Sequence, residues 1–238
     1  MDHPDPRRGG SPVEAVLLDA YGTLVELREP AARLGERLAA EGHPHAAGRV
    51  RSALTGEIRF YRRHHDRGRD AASLAALRLD CARVLAEGLG PDVPPLPRLA
   101  AILVESLRFE LIPDVLPALD DLAAAGLRLA VVSNWDAGLE EVLAGLGVAG
   151  RFEAVAVSAV VGAGKPHPAI FAHALDALGV PPARAVHCGD HPDFDCAGAR
   201  GAGVRGVLID RSNAHPDAPC PRIRSLPDLC RLIGLLEL

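Results

Sequence analysis

Lysine is almost missing from this 238-residue chain, and arginine supplies nearly all of its 26 basic side chains. Those 26 are outnumbered by 31 acidic residues, and the net charge of −5 speaks against a nucleic-acid partner. Aromatic residues make up only 3%, so the core must be built from Leu, Val and Ala. No apolar run approaches the roughly 20 residues needed to cross a bilayer, so no membrane partner is expected. The five cysteines form no CxxC pair and no regular framework, which argues against a disulfide scaffold. An odd, scattered set of this kind reads as reduced thiols in a cytoplasmic protein. Residues 1–12 are polar, lack the apolar stretch of a signal peptide, and read as a disordered N-terminal tail.

What the chain does have is a repeating alternation. Residues 13–20, 126–133, 153–158, 184–189 and 204–209 are short apolar runs, the pattern of fully buried strands. Between the later ones lie helical patterns: Val115 to Ala125, Glu140 to Leu146 and Ala169 to Leu178, each ending at a glycine. Asp114 is placed as the N-cap of the first. Strands and helices alternating in this way predict an α/β fold with a mostly parallel sheet covered on both faces. Residues 28–110 differ. They contain helical stretches near 30–41, 46–65, 71–87 and 96–108, with no strand signal. The expected division is a core from 13–27 and 111–238, with a helical insertion at 28–110.

The polar residues collect where the strands end. Asp19 closes the run Val16-Leu17-Leu18 and opens a turn through Tyr21, Gly22 and Thr23. An open α/β sheet presents reactive groups at the carboxyl ends of its strands. Gly22 permits the turn, and the backbone amides there are suited to facing an anion. Ser133 and Asn134 end the second strand, with Trp135, the sole tryptophan, beside them. Lys165 stands between Gly164 and Pro166, where a cation would keep a neighbouring carboxylate ionised. Asp190 ends a fourth strand and Asp195 begins a Gly/Ala-rich helix from Cys196 to Ala202. Two carboxylates near Asp19 make a hard oxygen site suited to Mg²⁺. His187 reads as a satisfied core histidine, His191 as a surface turn residue and Asp193 as a solvated loop residue. Arg62-Arg63-His64-His65 reads as a cation cluster at a helix C-terminus, available to an anionic substrate.

These four stretches, in this order, resemble the haloacid dehalogenase superfamily of aspartate-nucleophile hydrolases over about residues 13 to 236. The resemblance implies a Rossmann-like sheet in spatial order 5-4-1-2-3, with a helical cap inserted between motifs one and two. It implies Asp19 as nucleophile, with Thr23 orienting it. Ser133 would bind the transferred group and Lys165 would balance charge. Tyr21, Gly22, Asn134 and Trp135 would line the substrate pocket. It implies Mg²⁺ held by Asp19, Asp190, Asp195 and the Tyr21 carbonyl, and a small anionic substrate. One residue departs from the pattern: Tyr21 stands where phosphatases of the family carry a second aspartate. With a reference pKa near 10, a phenol is poorly matched to that residue's acid/base work. Asp-Ala-Tyr-Gly-Thr-Leu also resembles the start of 2-haloacid dehalogenases, which carry no metal. Those enzymes have a serine and an asparagine in motif four, where this chain has Asp190 and His191-Pro192. Three readings follow: a Mg²⁺-dependent phosphohydrolase with altered acid/base chemistry, a carbon–halogen hydrolase, or a binding protein on a weakened fold.

Overall fold

The structure, a computed structural model, describes residues 13–236, so the tail placed at 1–12 lies outside the described residues. In chain order the elements are β1 (Ala15–Leu18), β2 (Val25–Leu27), α1 (Pro30–Ala40), α2 (Ala47–His64), α3 (Ala71–Leu89), α4 (Leu96–Ser106), β3 (Phe109–Leu111), α5 (Val115–Ala124), β4 (Arg128–Ser133) and α6 (Leu139–Gly145). They continue with β5 (Ala154–Val157), α7 (Ser158–Val161), α8 (Pro168–Leu178), β6 (Ala185–Gly189), α9 (Gly198–Gly201), β7 (Arg205–Ile209), β8 (Arg222–Ile223) and α10 (Leu226–Leu236).

Six strands form a parallel sheet in the order β5-β4-β1-β6-β7-β8. This is the expected 5-4-1-2-3 order, with β8 as an additional edge strand too short to stand out in sequence. β1 is central and wholly buried. The strand pleat sends alternate side chains to opposite faces. Val16 and Leu18 join one apolar cluster with Val131, Val186 and α5 residues such as Leu119. Ala15 and Leu17 join the other with Ala130, Val132 and α8 residues such as Phe171. A fully buried leucine of this kind contributes about 1.5–3 kcal/mol, which explains the near-continuous Val/Leu runs of these strands.

Helices α1 to α4 bury a cluster of their own, including Leu34, Leu38, Leu54, Leu77, Leu85 and Leu99. The expected helical stretches therefore appear within a few residues of their sequence limits. A two-stranded antiparallel ribbon, β2 with β3, carries the chain into and out of this unit. Each ribbon strand has three residues, too few for a periodic signal. Elsewhere the helical unit meets the core through polar contacts. Tyr61 Oη donates to Asp136 Oδ2 at 2.8 Å, Ser158 Oγ to Asp66 Oδ1 at 2.6 Å, and Ala137 N to Gly68 O at 2.8 Å. Among the described residues no helix is long and apolar enough to cross a membrane.

Three local expectations are corrected. Asp114 does not cap α5 with its side chain. Its carboxylate takes a two-pronged ion pair from Arg211 at 2.7 and 3.0 Å, and accepts from Leu226 N at 3.0 Å. Charge-assisted bonds of this geometry outweigh a single neutral cap. The helix expected from Cys196 to Ala202 is a π-helical turn, Pro192–Ala197, followed by the short α9. Finally, the cysteines are not all reduced: Cys196 is disulfide-bonded to Cys220, with Cα atoms 6.1 Å apart. The connection from β7 to β8 folds residue 220 back onto the π-helical turn, a proximity that their sequence separation of 24 conceals. Cys81, Cys188 and Cys230 are free.

Inside the helical unit, Glu57 is buried beside Cys81, and burial pushes its carboxyl up to about 7. The unfolded chain ionises this group near 4.5, so its neutral form stabilises the fold fully below that pH. That contribution is lost as the pH rises through 7. Relative to Glu57→Gln, the natural protein is expected to lose about 3 kcal/mol between pH 4 and pH 8. Urea unfolding of both proteins across that range measures the difference. Parallel pH profiles would contradict the assignment.

Candidate active site

Parallel strands held in register end on the same edge, and this edge assembles the site. Leu18 lies opposite Val131 of β4 and Cys188 of β6. Asp19 is one residue beyond this level, and Ser133 and Asp190 are each two beyond it, from segments more than 50 residues apart in sequence. Asp19 continues the ladder, its N–H donating to Cys188 O at 2.9 Å. Its carboxylate is largely buried. Oδ1 accepts from Ser133 Oγ at 2.9 Å and pairs with Lys165 Nζ at 2.7 Å. Oδ2 is thus the oxygen left open for reaction.

Lys165, the single lysine of the chain, is buried between two carboxylates. Besides Asp19, its ammonium donates to Asp195 Oδ1 at 2.6 Å. Burial alone would lower its pKa, but the two acids outweigh this and raise it, so it stays protonated. Asn134 positions it: Lys165 N donates to Asn134 Oδ1 at 2.6 Å, and Asn134 Nδ2 donates to Lys165 O at 2.9 Å. Both ends of that amide are thus engaged with backbone.

Asp195 is the hub of the buried network. Oδ1 also meets His187 Nε2 at 2.8 Å, and Oδ2 accepts from His191 N at 2.8 Å. Burial works to raise its pKa, yet Lys165 and His187 prevail and hold it well below the usual carboxylate range. His187 is fully buried and edge-on to Phe171 at 5.0 Å, so it is both a core residue and a member of the site. Nothing in the sequence marked it as a site residue, because its partner Asp195 reaches it only through the fold of the turn after β6. Gly189 is required by this packing, since a Cβ there would lie 2.2 Å from Asp195 Cγ. His191 is exposed and stacks on Phe194, while Asp193 is exposed on the turn.

Asp190 faces the mouth of the site. Its partial burial, with Asp19 and Asp195 nearby, pushes its carboxyl up to about 7. The turn after β1 fits closely around it: Gly22 has φ +79°, and a Cβ there would lie 2.1 Å from Asp190 Oδ2. One oxygen from each of Asp19, Asp190 and Asp195 lies within 4.8 Å of the others. Three carboxylates against one ammonium leave an excess of negative charge on hard oxygen donors. This donor set fits a divalent cation such as Mg²⁺.

The remaining expected residues are placed as follows. Thr23 is fully buried, and its hydroxyl has no hydrogen-bond partner and makes no bond to Asp19. Tyr21, two residues after Asp19, is 39% exposed. Trp135 is buried against Phe109, with ring centres 5.2 Å apart. Arg62 and Arg63 are exposed at the end of α2. A cavity of about 420 Å³ lined by Arg63, His64, Arg67 and Arg69 includes none of the strand-end residues.

The family model of haloacid dehalogenase-like hydrolases matches residues 13–203. The chain belongs to this family of hydrolases. It is similar to a phosphoserine phosphatase of Thermus thermophilus, 41% identical over 130 residues, covering 54% of this chain and 50% of that protein. It is also similar to a glyceraldehyde 3-phosphate phosphatase of Methanopyrus kandleri, 34% identical over 158 residues, covering 60% of this chain and 67% of that protein. The chain spans about half the length of most curated relatives it matches. Among solved structures, a 2-haloacid dehalogenase of Pseudomonas syringae superposes with a TM-score of 0.68 at 26% identity, covering 94% of this chain and 99% of that one.

Removing the cation tests the charge network. Lys165→Met leaves two buried carboxylates facing each other. Breaking one side of such a buried set is expected to cost about 3–5 kcal/mol. Adding Asp195→Asn should restore part of that loss by removing one orphaned charge. Denaturant unfolding of the single and double variants checks both statements, and a single-variant loss below about 1 kcal/mol would contradict the network.

Proposed function

We propose that this hydrolase cleaves a small-molecule phosphate monoester, with Asp19 as nucleophile and Mg²⁺ as cofactor. The observation that carries this reading is the cluster of Asp19, Asp190 and Asp195, the first and last of them paired with a single ammonium. Asp190 is the discriminating member, because it adds a hard, partly open carboxylate where a metal-free carbon–halogen hydrolase has no use for one. The named phosphatases among the relatives support the same substrate class.

In this mechanism, Asp19 Oδ2 attacks phosphorus while Oδ1 stays held by Ser133 and Lys165. The bond to the ester oxygen breaks, and the phosphoryl group is carried on Asp19 until water releases it. Splitting the displacement in two lowers each barrier. Lys165 and Ser133 then face the oxygens of the transferred group, where fixed donors are most effective. Asp19, Asp190 and the Tyr21 carbonyl would hold the cation, which supplies charge neutralisation for the phosphate. Asp195 acts mainly through Lys165, since its oxygens already accept from Lys165, His187 and the His191 amide. Residues 28–110 serve as a cap that shields the site from water and selects the substrate. Tyr21 favours substrates with good leaving groups, because a phenol is a poor proton donor and a poor base at neutral pH.

A second reading, carbon–halogen hydrolysis, draws support from Tyr21 at the mouth and from the dehalogenase superposition. The two are separated by a screen of phosphate monoesters and 2-haloacids, each with Mg²⁺ and with chelator. Phosphate release that needs Mg²⁺ and vanishes in Asp19→Asn is the expected result. Halide release insensitive to chelator would replace it. Tyr21→Asp is expected to raise turnover of an unactivated ester by up to roughly 10²-fold, and of an activated aryl ester much less. Steady-state kinetics on one ester of each kind checks this, and equal loss on both would refute the proton-transfer argument.

A further inference from the structure

We propose that the Cys196–Cys220 pair is a redox site that controls the active-site turn carrying Asp195. This rests on the reading of the Asp19–Lys165–Asp195 network as the active site. Cys196 directly follows Asp195 on the π-helical turn Pro192–Ala197. Such turns are rare and occur frequently at functional sites. On its inner side this turn rests on β7, where Gly206 lets the backbone approach: a Cβ there would lie 3.0 Å from Cys196 Cα. Its bonds include those of the Asp195 carboxylate to Lys165, His187 and His191 N, and that of Gly198 N to Asp193 O. Asp195 N donates to His191 O at 2.9 Å, and the Asp193 and Phe194 amides donate to His191 Nδ1 at 3.2 and 3.4 Å. From the outside, the disulfide ties it to the connection between β7 and β8. That connection is largely exposed: Ala214 N and His215 N donate to Asp210 at 2.8 and 2.9 Å, Arg222 pairs with it, and Leu208 N donates to Pro221 O at 2.9 Å. The disulfide is the covalent restraint between the turn and this segment.

The two sulfurs differ in access. Cys196 is buried and Cys220 is half-buried. A dithiol reductant attacks Cys220 Sγ as a thiolate, and the S–S bond breaks with its electron pair leaving on Cys196 Sγ, which takes up a proton. The reductant's second thiolate then resolves the mixed disulfide, giving two protein thiols and an oxidised reductant. A low-molecular-weight disulfide drives the reverse exchange. Closed, the pair holds Asp195 against Lys165 and His187. Open, the turn is freed, and the ammonium that positions Asp19 loses its second anchor.

The experiment uses the full chain, treated with oxidised glutathione or with dithiothreitol and then freed of reagent. Thiol counting under denaturing conditions should give three in the first state and five in the second. Amide exchange followed by mass spectrometry should rise about tenfold on reduction at residues 191–197. Aryl phosphate turnover with Mg²⁺ should fall roughly 10–100-fold, the cost of a small misplacement at a reacting centre. Cys220→Ser should match the reduced state and ignore both reagents, while Cys230→Ser should respond as the natural protein does. Five thiols after the oxidant, or exchange at 191–197 that is unchanged between verified states, would overturn the proposal. An exchange response without hydrolysis in either state supports the redox site and overturns the phosphatase reading instead.

Discussion

One buried ammonium organises this protein's polar interior. Lys165 lies between Asp19 and Asp195, within 2.7 Å of each, in a place that water barely reaches. A charge cannot be buried there without partners, and neither can the carboxylates. Each group is therefore a condition for the others. The ion set binds the end of β1 to the turn after β6 and to the segment before α8, and Asn134 holds the Lys165 backbone on both sides. In an arginine-rich chain the single lysine occupies the one position where a slim, compact charge fits between two acids.

The sheet makes this arrangement possible. Parallel register brings Asp19, Ser133 and Asp190 to one edge, and tight backbone packing closes the space around them. Gly22 and Gly189 are the two positions where a side chain would collide with the acids themselves. The helical unit contributes from above through Tyr61, Asp66 and Gly68, which meet Asp136, Ser158 and Ala137 next to the strand-end residues.

The charge balance ties structure to chemistry. Lys165 pairs with Asp19 and Asp195, while burial, together with the charges of Asp19 and Asp195, raises the pKa of Asp190 against the opposing pull of Lys165. On the proposed function, a divalent cation at that point would complete the set. On the same proposal, Tyr21 in place of a second aspartate would spare the site a further negative charge at the cost of acid/base capacity.

Much of this was legible in the chain itself. The Val/Leu runs specified the buried parallel strands, because a strand covered on both faces needs no polar alternation. The spacing of Leu34, Leu38, Leu74, Leu77 and Leu85 marked the helical unit, and Asp19, Ser133, Lys165 and Asp190 stood out as polar ends of, or breaks between, apolar elements. Other features belong to the tertiary structure alone. His187 reads as core from its strand, and only the fold of the Pro192–Ala197 turn shows that its ring meets Asp195. Asp114 carries every mark of an N-cap, but Arg211, 97 residues away, takes its carboxylate because a paired charge outcompetes a lone amide. Cys196 and Cys220 look unrelated in sequence, and chain reversal between β7 and β8 makes them a bond. Local pattern determined which segments become strands and helices, since that choice depends on periodicity. Which charges and sulfurs meet depends on distances across the sheet, and folding alone sets those distances.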